Sequence, residues 1–290
     1  MGNQFTGNIP PEIGQYLLRL QVLKLNQNQL SGTIPPSIGN ISSLTILDLG
    51  TNIIGGPIPS ELGRLQKLKE LSLSINNLTG TVPPSLYNIT SLIHFPLPFN
   101  NLWGEIPSDV GDKLPNLIEF NFCINKFTGG IPGSLHYLPN IEIIRMAHNL
   151  LEGTVPPGLE NLRSLRMYNI GYNRIVGSLD FISSFNTSPH LDFLALDGNL
   201  FKGAIPESIG KIPPSISLLT NLGLLNLSYN SISGEIPPEI GNLKNLQELV
   251  LAENKISGGI PPTLGDLNKL NVLDLHGNEL VGAIPNSFGS

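Results

Sequence analysis

Apolar residues recur along the chain in short alternating bursts, not in helical stripes. Leu20, Leu23 and Leu25 precede Asn28, and Leu246, Leu249 and Leu251 stand at the same offsets (−8, −5, −3) before Asn254. The apolar–variable–apolar stretch has period two, which predicts a short strand with one buried face. The marker residue recurs as Asn28, Asn52, Asn76, Asn100, Asn125, Asn149, Asn173, Asn199, Asn230, Asn254 and Asn278, with Asn3 in a partial first copy. The spacing is 24 to 26 residues except for a gap of 31 before Asn230. No single copy can bury its apolar face alone, so stacked copies are predicted to form a parallel sheet over a continuous core.

The second half of each copy is equally regular. Gly stands four residues after all twelve Asn, and an Ile/Val-Pro pair follows at +6/+7 in eleven copies. The exception is Leu179-Asp180, after Asn173, whose copy runs on as a local loop. Gly and Pro here predict a turn and a loose return connector with short 3₁₀ turns. This turn chemistry accounts for most of the 31 Gly and 25 Pro, a content that excludes a helix bundle. An Asn side chain carries two donors and one acceptor oxygen, so the stacked Asn column is predicted to satisfy backbone groups that the turns leave unpaired.

The pattern LxxLxLxxNxLxGxIPxxLGxL, with Gly32-Thr33-Ile34-Pro35 and Gly234-Glu235-Ile236-Pro237 as its most specific marks, resembles the plant-type leucine-rich repeat. The stretches GSLDFISSFNTSPHLDFLALDGN and LLNLSYNSISGEIP are similar to ectodomains of plant receptor-like Ser/Thr kinases of the pattern-recognition subfamily. The resemblance covers essentially the whole chain. It implies a single array over residues 1–290, of α/β repeat-solenoid class: a curved superhelix with a concave parallel sheet and a convex side of loops and 3₁₀ turns. Residues 174–198 and 203–222 are its irregular parts. The implied function is recognition of a peptide or protein ligand on the extracellular side of the plasma membrane in plant immune or developmental signalling, with a co-receptor kinase as a second partner. The same repeat also builds soluble inhibitors of microbial wall-degrading enzymes, and Ser/Thr kinase activity belongs only to a longer product.

The chain starts and ends inside a repeat, and its single Cys, at 123, cannot supply the paired cysteines that cap the family's N-terminal end. It reads as a fragment or a truncated gene model, and its open ends predict poor solubility when expressed alone. The segments IPESIGK and IPPSISL, at 205–211 and 212–218, are near copies. A tandem duplication or the loss of an internal segment would each produce them, with a bulge between the Asn199 and Asn230 strands.

A net charge of −6 and a pI near 5.3 leave no basic stripe for nucleic acid. Charged residues are 13% and mean hydropathy is +0.10, so the chain must bury a core. No apolar run is long enough to span a membrane, and no signal peptide opens the chain. The opening MGNQFT matches a myristoylation motif but is repeat tail, as in INKFTG. Cys123 is placed at an outward strand position as a free thiol, and the five His show no metal-ligand spacing. No catalytic residue, metal or cofactor is implied. Sequons stand at Asn40, Asn77, Asn88, Asn186 and Asn226, as in a secretory-pathway glycoprotein.

Outward positions are predicted at −6, −4, −2 and −1 from each Asn. The −6 column holds His94, Glu119, Ile143, Met167, Phe193 and Leu224, and the −1 column holds Phe99, Ile124, His148, Tyr172 and Tyr229. With Arg145 and Asp197 at their margins, these side chains form the candidate ligand face. Lys24 and Asp48 are expected to pair laterally, and Pro96 and Pro98 to weaken strand pairing by removing N–H donors. Trp103 is expected on the flank, in lateral packing or against a co-receptor.

Overall fold

The computed structural model describes residues 2–210, 219 and 221–289. They form two compact units, Met1–Ile141 with His148–Leu150, and Glu142–Ala147 with Leu151–Ser290.

In the first unit, the residues at −6 to −4 form the parallel strands Val22–Lys24, Ile46–Asp48, Glu70–Ser72, His94–Pro96 and Glu119–Asn121. In the second they form Ile143–Arg145, Met167–Asn169, Phe193–Ala195, Leu224–Asn226, Glu248–Val250 and Val272–Asp274. Equal offsets pair in register, as in Leu23↔Leu47 and Leu194↔Leu225. The pairing of Glu70–Ser72 with His94–Pro96 is reduced to Glu70↔His94, where Pro96 has no N–H to give.

The Leu positions supply the core. Leu44, Leu47, Leu49, Ile54, Ile58, Leu62 and Leu65 of one repeat are all buried, each stabilising by roughly 1.5–3 kcal/mol. In the first unit four Phe thicken this core. Phe122 stacks on Phe120 at 4.1 Å and meets Phe95 edge-on at 5.2 Å and Phe127 at 5.1 Å.

All eleven Asn from Asn28 to Asn278 make one repeated hydrogen-bond pattern. Each Oδ1 accepts the backbone N–H at +2 of the preceding repeat at 2.9–3.0 Å; Leu78 N–H donates to Asn100 and Ile175 N–H to Asn199. Each Nδ2 for which the bonds are resolved donates to carbonyls at −3, as Asn76 does to Leu49 and Leu73.

Two glycine columns have different causes. All twelve Gly at +4 have positive φ, from Gly56 at 73° to Gly177 at 119°, a region that Gly enters without a Cβ penalty. Around this turn runs a second, lateral set of parallel strands that the alternation did not predict. In the first unit it includes Gly55–Pro57, Asn77–Gly80, Asn101–Glu105 and Lys126–Thr128, and in the second Arg174–Gly177, Leu200–Gly203 and Ser231–Glu235. The Gly at +11 are needed for stacking: a Cβ on Gly111 would run into the Ser134 carbonyl of the next repeat.

The return connectors are 3₁₀ turns such as Pro36–Asn40, Pro84–Asn88 and Pro238–Asn242, entered from an extended Pro. Two are single α-turns, Ile13–Tyr16 and Val110–Lys113. The loop expected after Asn173 is instead a 3₁₀ helix, Asp180–Thr187. Its buried Ile182 and Phe185 are three residues apart, one 3₁₀ turn, and Phe185 packs against Tyr168 at 5.3 Å. The bulge expected at 212–218 lies outside the described residues.

Candidate ligand-binding face

The strand bounds correct the assignment of outward positions. Side chains at −6 and −4 do face outward, but the strands end at −4. The residues at −2 are mostly buried: Cys123 is 3% exposed and Asp197 7%. Cys123 is therefore a buried thiol, and Asp197 lies beneath the face, not on its margin. The residues at −1 are not strand residues. Phe99, Ile124, His148, Tyr172 and Tyr229 have φ between 51° and 57°, in the left-handed region. Residue −2 turns the chain inward, and the left-handed residue −1 then throws its side chain out at the strand end. Phe99 is 50% exposed, Tyr172 43% and Tyr229 51%.

In the first unit, Glu119 pairs in register with His94, and His94 Nδ1 lies 3.5 Å from Glu119 Oε2. Phe99, Ile124 and His148 follow at the strand ends, tied by Asn100 N–H to the Ile124 carbonyl and Asn125 N–H to the His148 carbonyl, both at 3.1 Å. Lys24 and Asp48 are in register, but Asp48 Oδ1 accepts the Gly50 N–H at 3.0 Å and makes no ion pair with Lys24. Trp103 is exposed, and in register with Lys126 on the lateral sheet.

In the second unit, register brings Ile143, Met167, Phe193 and Leu224 into one half-buried apolar row. Arg145 stands two residues along from Ile143 and pairs in register with Asn169. Its Nε is buried without a hydrogen-bond partner, so this end of the guanidinium is held beneath the face. Tyr172 lies across Gly198: a Cβ on that glycine would come within 2.7 Å of the ring. Burial, then Asp197, then Tyr229 raise the Tyr172 phenol above its ordinary value. Gly198 is a positioning residue that the sequence reading missed; a glycine in the −1 column between two tyrosines was its signal.

The sequons separate by exposure. Asn40, Asn77 and Asn88 are exposed, whereas Asn186 and Asn226 are half-buried. Asn226 sits on the strand face, and its Oδ1 accepts the Ser228 N–H at 3.1 Å and the hydroxyl at 2.7 Å. Among the described residues no group of His, Cys, Asp and Glu could hold a metal ion, and no helix is long and apolar enough to cross a membrane.

The family model Leucine Rich Repeat matches residues 19–41, 43–65, 67–89 and 221–243, and Leucine Rich repeats (2 copies) matches 244–287. No curated protein matches the chain. Solved structures do. The Arabidopsis receptor kinase HAESA, in complex with the peptide hormone IDA and the co-receptor SERK1, is 35% identical with a TM-score of 0.87, over 99% of this chain and 46% of that one. PEPR1–AtPEP1 is 36% identical with a TM-score of 0.81, over 98% of this chain and 42% of that one. A plant ice-binding protein is 29% identical with a TM-score of 0.76, over 91% of this chain and 82% of that one. The chain thus spans less than half the length of these two receptor chains. Built from leucine-rich repeats in the family's spacing and register, the chain is a leucine-rich-repeat protein, similar in structure over nearly its whole length to plant receptor-kinase ectodomains.

Proposed function

We propose that this chain is the extracellular peptide- or protein-recognising part of a plant leucine-rich-repeat receptor kinase, acting in immune or developmental signalling. The observation that carries the reading is the second unit's face: the apolar row Ile143, Met167, Phe193 and Leu224, with Arg145 on the same strand as Ile143 and the exposed Tyr172 and Tyr229 at the strand ends. An apolar row takes ligand side chains, Arg pairs with a carboxylate, and tyrosines give large contact area at small entropy cost. The solved receptor structures that it resembles hold peptides, IDA on HAESA and AtPEP1 on PEPR1. The likeness to an ice-binding protein means that the repeat fold alone carries no ligand class, so the reading rests on side chains.

A displayed library of random dodecapeptides, selected on the chain and then tested on the Arg145→Gln, Tyr172→Ala, Tyr229→Ala triple variant, tests the reading. Selected peptides are expected to bind the parent and lose at least roughly thirtyfold in affinity on the variant, the equivalent of one lost hot-spot contact. Peptides that bind both alike, or no enrichment at all, would refute it.

A further inference from the structure

A second concavity lies in the second unit, beside the apolar row and not on it. Glu142, Ser164, Arg166, His190, Asp192 and Asn221 line a cavity of about 480 Å³, within the range of small-ligand sites. Its charged residues occupy one offset, −7, on three successive repeats. Arg166 N–H donates to the Glu142 carbonyl at 2.8 Å, and Asp192 N–H to the Arg166 carbonyl at 2.9 Å. The side chains therefore follow one another as acid, base, acid, at the strand spacing of about 4.8 Å.

Among the described residues none of the three is paired. Arg166 forms no ion pair or side-chain hydrogen bond among the described residues, and neither carboxylate has a partner. Asn221, by contrast, is held: its Nδ2 donates to the Pro189 carbonyl at 2.6 Å. The lining has no Trp, Tyr or Phe ring on which a sugar face could stack, and its two carboxylates against one arginine repel a phosphate. Glu142 and Asp192 stand on either side of Arg166, two strand spacings apart, too far to share a small cation.

We propose that this cavity is a peptide subsite that takes a segment with one carboxylate between two cationic groups, Arg166 receiving the carboxylate and Glu142 and Asp192 the cations. Met167 and Phe193 follow Arg166 and Asp192 directly in the chain, so a peptide lying on the apolar row reaches the cavity at the row's edge. In that respect the proposal rests on the peptide-binding reading of the face. Its role is to select charge order: reversed order sets like charges against each other at all three positions.

The test titrates capped Lys-Asp-Lys, Asp-Lys-Asp and Lys-Ala-Lys tripeptides against the whole chain, following amide shifts of the second unit. Lys-Asp-Lys is expected to bind roughly tenfold or more tighter than Asp-Lys-Asp, with the preference shrinking as salt rises. Arg166→Glu is expected to abolish the preference, and Arg166→Gln to halve it or more, while the Tyr172→Ala, Tyr229→Ala variant keeps it. Equal binding of the two charge orders, or a preference untouched by Arg166→Glu, would overturn the proposal and leave the row a solvated surface. Because the tripeptides do not reach the tyrosines, failure of the dodecapeptide selection with success here would refute the face reading alone.

Discussion

Replacing Asn100 by Ala isolates what one rung of the Asn column contributes. Asn100 is 8% exposed, and its Oδ1 accepts the Leu78 N–H at 3.0 Å. Its Nδ2 donates to the Leu73 carbonyl at 2.9 Å and the Leu97 carbonyl at 3.1 Å. The two sides of the residue are not equivalent. Leu73 O keeps a second donor in Asn76 Nδ2 at 3.2 Å, and Leu97 O keeps Asn125 Nδ2 at 3.0 Å. Only the Leu78 N–H is orphaned in the variant. An orphaned buried donor costs about 1–3 kcal/mol, and each lost bond to a carbonyl that stays satisfied about 0.5–1.5 kcal/mol. The sum is about 2–6 kcal/mol.

Because an array of repeats need not unfold in one step, the readout is native-state amide exchange. Leu78 N–H is expected to lose protection by roughly two orders of magnitude, about 2.7 kcal/mol. Asn100→Asp separates hydrogen bonding from packing. It keeps the acceptor for Leu78 but aims a carboxylate at two carbonyls, so it is expected to be at least as destabilising at neutral pH and to recover as the acid protonates. Exposed Asn101→Ala is the control, within about 0.5 kcal/mol of the parent. A loss below about 1 kcal/mol in Asn100→Ala, with Leu78 exchange unchanged, would show that the column is incidental to stability.

Three further outcomes are expected. Ile75, β-branched with φ 54° and half exposed, should gain about 1 kcal/mol as Ile75→Asn, since Asn tolerates the left-handed region; chemical denaturation reads the gain, and a loss would contradict it. Tyr87 OH is buried without a partner and burial pushes its phenol well up, so Tyr87→Phe should be neutral or stabilising by about 1 kcal/mol, against the loss usual for a core change. His276 Nδ1 lies 2.6 Å from Asp274 Oδ1, which raises the imidazole above its ordinary 6.5 and lowers the carboxyl below 3.8. The histidine's contribution is thus present below pH 6.5 and lost as pH rises through its folded value; the aspartate's is present above 3.8 and lost as pH falls through its own. Proton NMR should find His276 titrating above 6.5 and falling in Asp274→Asn; an unmoved titration would dismiss the pair.

The repeat core was legible because its chemistry is periodic. Leucines at three fixed offsets can only be explained by a shared buried face, and an Asn fixed behind them by a shared turn. The lateral sheet was not legible, because Asn77–Gly80 or Ser231–Glu235 pair through backbone groups around a glycine and show little alternation of side chains. Period two was also extended too far. It holds from −6 to −3 and fails at −2, where Cys123 and Asp197 are buried, because the left-handed residue that follows reverses the chain's facing. The charged row Glu142, Arg166 and Asp192 escaped notice because it precedes the strands, where polar residues vary freely from copy to copy.

The left-handed residue at −1 ties fold and recognition together. It is imposed by the repeat, since Gln27, Thr51 and Glu253 adopt it as fully as Phe99 and Tyr172. Its cost, about 1–2 kcal/mol for an L-residue, is therefore no mark of a binding site. Glycine would relieve it everywhere, yet among the repeats with described strands glycine stands there only at Gly198 and Gly277. At Gly198 the reason is visible in the neighbour: the Tyr172 ring occupies the space where a Cβ would stand. The side chain offered to a ligand is thus set by two residues on adjacent repeats, one supplying the ring and the other the absence of a side chain. Reading specificity in this fold requires pairs of equal offsets, since a column read one residue at a time counts Gly198 as a gap when it is the seat of the tyrosine before it.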